Sequence, residues 1–388
     1  MKKILSLSLC MIAAMTMVAE TAEKPWKFDG TVGLNAAATG LFNWAAGGKN
    51  NVNGIAYAKL HLLYDKDAFA WETNFDTDFG MTWLEQDEDA FQKSSDNIKL
   101  ATKFGWEFKQ NWYLTAMAGF QSQYALGRDY VTGYNPIISK WLAPSYTDIS
   151  LGIDWKTSVN GADFSLYMSP IAGRITSAYV GETWNKRYSE EMALGAFQYA
   201  VDMADKTAKP AAQAAYDAAK GVYELAGAGY ALQQASATDL RSTLQQKYGT
   251  YKYDDRGEQV LRNARGEFGL TIKGSVAYKY QDLTLSSTLA LFTPYQGKGF
   301  NVKEAYEKAH LGLPYDGYFE YSNNNRQFGH FDVDWDVAIG YQFLKCLQVT
   351  LQTNLKYYPG TLIADKNGVE AERVQFRGVI GLGVGYAF

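Results

Sequence analysis

Large apolar residues alternate with polar residues along most of the chain, with a period of two. The clearest example begins at residue 69, where Phe69, Trp71 and Phe75 alternate with Glu72 and Asn74. Successive side chains of a β-strand point to opposite faces, so this pattern predicts a strand with one apolar and one polar face. The pattern predicts about twelve strands, at residues 26–36, 54–64, 68–83, 96–106, 112–123, 147–155, 162–170, 266–280, 282–292, 331–343, 347–357 and 374–388.

The connections between these strands are alternately short and long. Short turns follow the even-numbered strands, and the long connections are at 38–53, 80–95, 125–145, 172–263, 293–330 and 359–371. Membrane-spanning barrels sort their connections in this way, with short periplasmic turns and long outer loops. Aromatic residues such as Trp26, Trp106 and Phe343 lie on the apolar face near the short turns, as at a membrane interface. The chain is therefore predicted to form an all-β, antiparallel outer-membrane β-barrel.

Residues from about 186 to 250 interrupt the alternation and show helical spacing. One helix is predicted behind a Ser189 cap and a second from Pro210 to Gly227. A third is predicted to begin near Ser236 and Asp239 and to end at Gly249. This insertion belongs to an outer loop, and the pattern leaves open whether it is a cap, a lid or a plug of the barrel mouth.

Both ends of the chain carry features of export and assembly. The first 22 residues combine two lysines with an apolar run and small residues, which predicts a signal peptide and a mature barrel at 23–388. Only Cys346 would then remain, so no disulfide is expected within the barrel. The last strand ends in Tyr386 and Phe388, and it resembles the terminal signal that the barrel assembly machinery reads.

Composition agrees with a membrane barrel and argues against some partners. The chain is 15% aromatic, yet its mean hydropathy is only −0.28, as expected when apolar residues alternate with polar ones. A net charge of −4 offers no basic surface for nucleic acid. The expected surroundings are outer-membrane lipids and lipopolysaccharide.

Several stretches resemble an uncharacterised family of outer-membrane barrels, a domain of unknown function common in Bacteroidota. They are NWAAGGKNNVNG, SSDNIKLATKFGW, WYLTAMAGFQSQYALG and ADFSLYMSPIAGRIT, and the resemblance extends over nearly the whole mature chain. The family elements are an Asn-Trp-x-x-Gly-Gly stretch and a Ser-Pro pair, here Asn43, Trp44, Gly47, Gly48, Ser169 and Pro170. The resemblance implies location and architecture, and it implies no catalytic residues.

The candidate functional residues are the charged and polar residues of the predicted inner face. Charges are costly against lipid, so their position opposite the apolar residues places them in the lumen. These candidates are Lys59, His61, Glu72, Asp76, Asp78, Lys99, Lys103, Asp148, Asp154, Glu267, Lys273, Asp332, Asp334, Asp336, Lys356, Arg373 and Arg377.

The mixed signs of these charges allow functions of different classes. They can line a narrow channel or transporter for small polar solutes, which is the function we expect from the sequence. They can instead pair and close the lumen, which would give a structural or surface-display barrel. An outer-membrane enzyme is the weakest alternative, because the only histidines are His61, His310 and His330 and no nucleophile or metal motif accompanies them. No cofactor is expected.

Overall fold

The computed structural model of the chain contains a closed antiparallel barrel of twelve strands. The structure describes residues 25–39, 51–85, 90–130, 135–224, 239–295, 302–312, 328–344, 347–359, 361–364 and 370–387. The barrel strands are β1 (Trp26–Thr39), β2 (Asn51–Lys66), β3 (Phe69–Leu84), β4 (Phe91–Lys109), β5 (Trp112–Ser122), β6 (Ser145–Val159), β7 (Ala162–Ser177), β8 (Ala264–Tyr280), β9 (Leu283–Pro294), β10 (Asp332–Leu344), β11 (Leu347–Tyr357) and β12 (Gln375–Ala387). Pairing of β1 with β12 closes the ring, which confirms the predicted fold class.

The outer face of the barrel is apolar and exposed. Trp26, Phe69, Phe104, Ile153 and Trp335 are among the large apolar side chains exposed on this face. Soluble monomers rarely expose apolar surface of this extent. A closed sheet also satisfies the backbone hydrogen bonds of every strand, as the hydrocarbon core of a bilayer requires. The strands therefore form an outer-membrane-type barrel that spans a bilayer.

Short turns join alternate pairs of strands at one end of the barrel, called here the short-turn end. Asp67, Asn111, Asn160 and Gln281 lie in four of these turns and have positive φ angles. Two-residue hairpin turns need such angles, and Asp and Asn adopt them more readily than most residues. The opposite end is the long-loop end.

The connection between β3 and β4 at the long-loop end is shorter than the alternation predicted. The expected loop at 80–95 is wrong, because β3 continues to Leu84 and β4 begins at Phe91. Trp83 pairs with Phe91, so the ladder extends almost to the end of the hairpin.

A proline lies inside β7, where the sequence predicted the strand to end. Pro170 has no N–H to donate, and the register of the sheet shifts beside it, between Leu151 and Ile153. The hydroxyl oxygen of Ser169 lies 2.8 Å from the carbonyl oxygens of Leu151 and Ile171, and it supplies a donor where the proline cannot. Because this bulge is accommodated, β7 continues past the proline to Ser177.

Four helices lie in the long connections of the described residues. They are α1 (Glu182–Met203), α2 (Lys209–Glu224), α3 (Leu240–Lys247) and α4 (Val302–Ala309). None of these helices is long and apolar enough to cross a bilayer.

The predicted start of the first helix is wrong, because α1 begins before Ser189. Ser189 is buried within α1, and its hydroxyl accepts a hydrogen bond from the Leu240 N–H at 2.9 Å. At α3, Asp239 is the N-cap and accepts from the Ser242 N–H at 2.9 Å. Gly227 and Ser236 lie outside the described residues.

Two long connections and helices α1, α2 and α3 fold into one unit, called here the helical cap. Its shared apolar core consists of Ile137, Ala143, Ala178, Val180, Tyr188, Met192, Leu240, Leu244 and Tyr248. The Tyr248 hydroxyl donates to the Ile138 carbonyl at 2.6 Å, and burial raises the pKa of Tyr248 well above its ordinary value. Helix α3 also contacts strand Leu362–Ala364, in the connection between β11 and β12. The cap therefore extends from the β6–β7 side across the long-loop end.

Candidate functional site

Arg174 links three strands on the inner face of the barrel. From β7, its Nε and Nη2 donate to both carboxylate oxygens of Asp148 on β6, at 2.6 and 3.1 Å. Its Nη1 donates to Asp332 on β10 at 2.6 Å. The planar guanidinium matches two carboxylates at once, which a lysine ammonium cannot do with the same geometry. Arg174, Asp148 and Asp332 are called here the arginine hub.

Aromatic side chains enclose the arginine hub at the long-loop end. The guanidinium lies 4.9 Å from the ring centre of Phe292 and 5.8 Å from that of Tyr358. The Tyr358 ring lies 5.0 Å from the ring of Tyr146 on β6. Asp332 and Phe292 are only 4% and 2% exposed. Side chains from β6, β7, β9, β10 and the segment after β11 therefore pack together at this end of the lumen.

A second group of contacts crosses the middle of the lumen. The Lys99 ammonium on β4 lies 2.8 Å from a carboxylate oxygen of Asp336 on β10. Asn354 on β11 donates to both Asp334 and Asp336, at 2.8 and 2.7 Å. Lys356 lies 3.5 Å from Asp334. The three aspartates of β10 thus face into the barrel and have partners on three different strands.

Other inner-face contacts join β12 and β11 to β1, β2, β3 and β4, each across two to four positions of the ring. Arg377 donates to Asp78 on β3 at 3.1 Å and also contacts Ser95. The amide of Gln348 contacts the Tyr57 hydroxyl, and Asn35 donates to Thr350 at 3.3 Å. These contacts connect strands that are not hydrogen-bonded neighbours in the sheet.

Two further groups of charged side chains lie toward the short-turn end of the lumen. His61 lies 3.0 Å from Asp29 and 3.6 Å from Glu72. Lys103 forms an ion pair with Asp154 at 2.5 Å. The side chain of Asp29 is 63% exposed and that of Asp336 is 46% exposed, in contrast to the buried Asp332. Exposure of the inner charges does not follow their position along the lumen alone, because Asp154 near the short-turn end is fully buried and Asp148 in the arginine hub is 37% exposed.

The remaining candidates differ in their surroundings. Glu267 lies 3.3 Å from Arg265 near the long-loop end. Lys59, Lys99 and Lys273 all interact electrostatically with Asp76. Arg373 is the one candidate that the structure does not place on a barrel strand. It precedes β12, and its guanidinium donates to the Ile363 carbonyl at 3.2 Å, so its assignment to the inner face of the last strand is wrong.

Arg174, the residue at the centre of the arginine hub, is not among the candidates predicted from the sequence. Arg174 was assigned to a loop because the predicted strand ended at Pro170. Its partners Asp148 and Asp332 were both predicted to face inward. Continued alternation after the proline, with Ile171 and Ile175 exposed and Arg174 between them, is the signal that could have identified it.

Other predicted features lie partly outside the described residues. Tyr386, in the last strand, pairs with Val32. The residues outside the described part of the chain include Phe388, the signal peptide and the element formed by Asn43, Trp44, Gly47 and Gly48. Within the described part of the chain, no three His, Cys, Asp or Glu side chains are grouped as metal ligands.

Comparisons with known proteins give a partial family match and distant structural similarities. A family model described as a protein of unknown function (DUF3078) matches residues 36–127. Among curated proteins, no sequence matches the chain.

Solved structures with similar folds are outer-membrane barrels. The translocator domain of the autotransporter NalP from Neisseria meningitidis is 9% identical, with a TM-score of 0.30 over 100% of this chain and 96% of that one. The COG4313 outer membrane channel from Pseudomonas putida F1 is 9% identical, with a TM-score of 0.35 over 96% and 98%. Outer membrane phospholipase A from Escherichia coli is 9% identical, with a TM-score of 0.31 over 96% of each chain. Similarities at these TM-scores are too weak to support an assignment. The membrane-barrel assignment therefore rests on the closed sheet and its apolar outer face.

Proposed function

We propose that the protein is an exported outer-membrane barrel whose lumen is closed at the long-loop end and which presents the helical cap at the cell surface. The arginine hub is the observation that carries this proposal. It joins β6, β7 and β10 through one buried guanidinium, and aromatic rings pack around it. Opening a path at this level would separate buried charges from their partners, which is costly in a low-dielectric interior.

The rest of the molecule contacts its surroundings and is assigned no chemical reaction. Outer-membrane lipids and lipopolysaccharide cover the apolar face, and the assembly machinery recognises the last strand. No enzymatic role is included. A serine hydrolase needs a histidine in contact with a hydroxyl, whereas His61 contacts Asp29 and Glu72, and His310 contacts Glu258.

A gated narrow channel for small polar solutes is the second candidate. The observation that favours it is the exposure of Asp336, which shows that water reaches the lumen below the arginine hub. In this alternative the hub would act as the gate, and the lower charges would contact the solute, as rings of charged side chains do in other pores.

Conductance of the refolded barrel in planar bilayers separates the two candidates. The closed barrel should conduct no current as the wild-type protein, while Arg174→Met should introduce openings. Arg128→Met is the matched control, because Arg128 contacts Glu191 in the helical cap and not a lumen residue. Steady or frequent openings of the wild-type protein would contradict the closed barrel and support the channel.

Presentation of the cap is tested on intact cells. A peptide tag inserted after Lys206, which is exposed between α1 and α2, should bind its antibody without permeabilisation. A tag detected only after permeabilisation would contradict the proposed orientation.

A further inference from the structure

Like Lys59, Lys273 is an inner-face lysine that forms no ion pair among the described residues. It lies on β8 and faces the lumen, where it interacts electrostatically with Lys99, Lys103, Glu72 and Asp148. Among the described residues, no carboxylate lies within ion-pair distance of its ammonium. Lys99, Lys103 and Lys356 each have such a carboxylate. The ammonium carries three donors, so it requires acceptors from water or from a bound anion.

The neighbours of Lys273 in the sheet do not neutralise it. Its cross-strand neighbours are Tyr167 on β7 and Ala290 on β9. The Tyr167 hydroxyl already donates to Ser150 at 2.8 Å. Ala290 has no polar side-chain atom. The lumen wall thus presents a cation at this point without supplying its counter-charge.

The carboxylates that act on Lys273 from other strands already have partners or are shared. Glu72 contacts His61 and accepts from Asn74, and Asp148 is held by Arg174. Asp76 interacts with Lys59, Lys99 and Lys273 together. Asp76 is therefore shared between lysines and is not a dedicated partner of Lys273, whereas Lys99 also has its own ion pair with Asp336.

Two residues with hydroxyl groups lie near Lys273 on the inner face. Ser275 is two residues from Lys273 on β8 and lies directly opposite Thr288 on β9. Residues at such positions have Cβ atoms within reach of one another and of the diagonal neighbour. On the β7 side, the Lys103 ammonium lies 5.8 Å from the ring centre of Tyr167, so a second cation flanks the same tyrosine.

We propose that Lys273, with Ser275, Thr288 and the nearby Lys103, forms a site in the lumen for a small oxyanion, such as a phosphate or the carboxylate group of a solute. An oxyanion accepts hydrogen bonds from the ammonium and the hydroxyls at once, and these charge-assisted bonds are stronger than neutral ones. The anion reaches the site from the short-turn end, where the side chain of Asp29 is 63% exposed. The site does not depend on whether the arginine hub is a permanent seal or a gate.

Inorganic phosphate is the probe for this site. The refolded full-length barrel in a zwitterionic detergent is titrated with phosphate at constant ionic strength, and binding is followed by calorimetry. The wild-type protein should bind, and Lys273→Gln should weaken binding about tenfold or more, since a hydrogen bond to a charged group is lost. Lys273→Arg should retain most of the affinity because it keeps the charge.

The control variant is Lys279→Gln, on the same strand and face but exposed at the short-turn end, and it should bind like the wild type. Each variant is first shown to be folded by its heat-modifiable migration on a detergent gel. Absence of phosphate binding by the folded wild-type barrel would overturn the proposal. Binding that Lys273→Gln leaves unchanged, or that Lys279→Gln weakens equally, would also overturn it. Because conductance is not measured, failure here leaves the closed-lumen proposal standing.

Discussion

The ammonium of Lys99 lies 2.8 Å from the carboxylate of Asp336 across the full width of the barrel. Their strands, β4 and β10, are six positions apart in the ring of twelve, so the two side chains reach from opposite walls. The contact ties the walls together without any backbone pairing between them. Asp336 is nevertheless partly hydrated, and ion pairs with access to water contribute little to stability.

The coupling between Lys99 and Asp336 should therefore be small but measurable. We expect a double-mutant cycle of Lys99→Met and Asp336→Asn to give an interaction energy of about 1 kcal/mol or less. The free energy of unfolding would be measured in urea, and the coupling should decrease at high salt. Lys99→Met combined with Asp163→Asn is the control, since Asp163 contacts Ser158 at the short-turn end. A coupling indistinguishable from this control would show that the pair contributes nothing.

The arginine hub should contribute far more than the Lys99 pair. Arg174→Met leaves Asp148 and the buried Asp332 without their shared cation, and removal of one partner of a buried ion pair costs about 3–5 kcal/mol. Because Asp148 is partly exposed, the lower part of this range is expected. The measurement is urea unfolding, with Arg128→Met at the exposed Arg128–Glu191 pair as the control. Equal stability of the two variants would contradict the importance of the hub.

A second substitution, at one of the carboxylates that Arg174 contacts, provides a second test of the arginine hub. Adding Asp332→Asn to Arg174→Met removes the buried charge whose ion pair with Arg174 the first substitution breaks. We expect the double variant to be more stable than Arg174→Met alone. If the second substitution destabilises further, Asp332 has partners that matter more than Arg174.

The alternation of apolar and polar residues predicts which face of a strand a residue occupies, but not which residue it meets across the lumen. Asp332, Asp334 and Asp336 were predicted to face inward for this reason. Their partners Arg174 and Lys99 lie on distant strands and depend on ring closure and strand tilt, whereas Lys356 lies directly opposite Asp334 on the neighbouring strand β11.

Local backbone geometry explains the two misplaced arginines. Arg174 was missed because Pro170 is a strong signal for the end of a strand, and only the bulge stabilised by Ser169 lets β7 continue. Arg373 was assigned to a strand because it continues the alternation of β12, yet its guanidinium bonds to the Ile363 carbonyl in the preceding connection. Alternation alone does not determine where pairing begins.

The helical cap should unfold separately from the barrel. Leu240 and Leu244 are fully buried in its core, and replacing either with Ala costs about 2–5 kcal/mol in a packed interior. We expect Leu240→Ala to make residues 135–144, 178–224 and 239–250 sensitive to protease while the barrel stays heat-modifiable. Leu311→Ala, at a highly exposed leucine, is the control. Loss of the folded barrel in Leu240→Ala would show that the cap is required for assembly.

Replacement of residues 189–249 by a short linker is the stronger form of this test. The ends of β7 and β8 pair without the helices, so the barrel should still close. Because the cap core also includes Ile137 and Ala143, the connection between β5 and β6 should become sensitive to protease. Unchanged resistance of that connection would mean that its order does not depend on the cap.

At the bulge beside Pro170, two glycine positions have no space for a larger side chain. A Cβ added at Gly152 would overlap the carbonyl oxygen of Met168, and one added at Gly269 would overlap that of Thr293. Both obstacles are backbone atoms of neighbouring strands, so no side-chain rotation can relieve them. Gly274, on β8, has no atom within 4 Å of an added Cβ.

Gly152→Ala and Gly269→Ala should therefore each destabilise the barrel by about 1–3 kcal/mol or more, the cost of overpacking a closely packed site. Gly274→Ala should have almost no effect, and it controls for the general effect of replacing a strand glycine. The measurement is the urea concentration at which half of the refolded protein loses heat-modifiable migration. If Gly152→Ala and Gly274→Ala share the same midpoint, the close approach at the bulge does not constrain β6 and β7. A lower midpoint for Gly152→Ala and Gly269→Ala alone would show that the irregular pairing which brings Arg174 into the lumen depends on these two glycines.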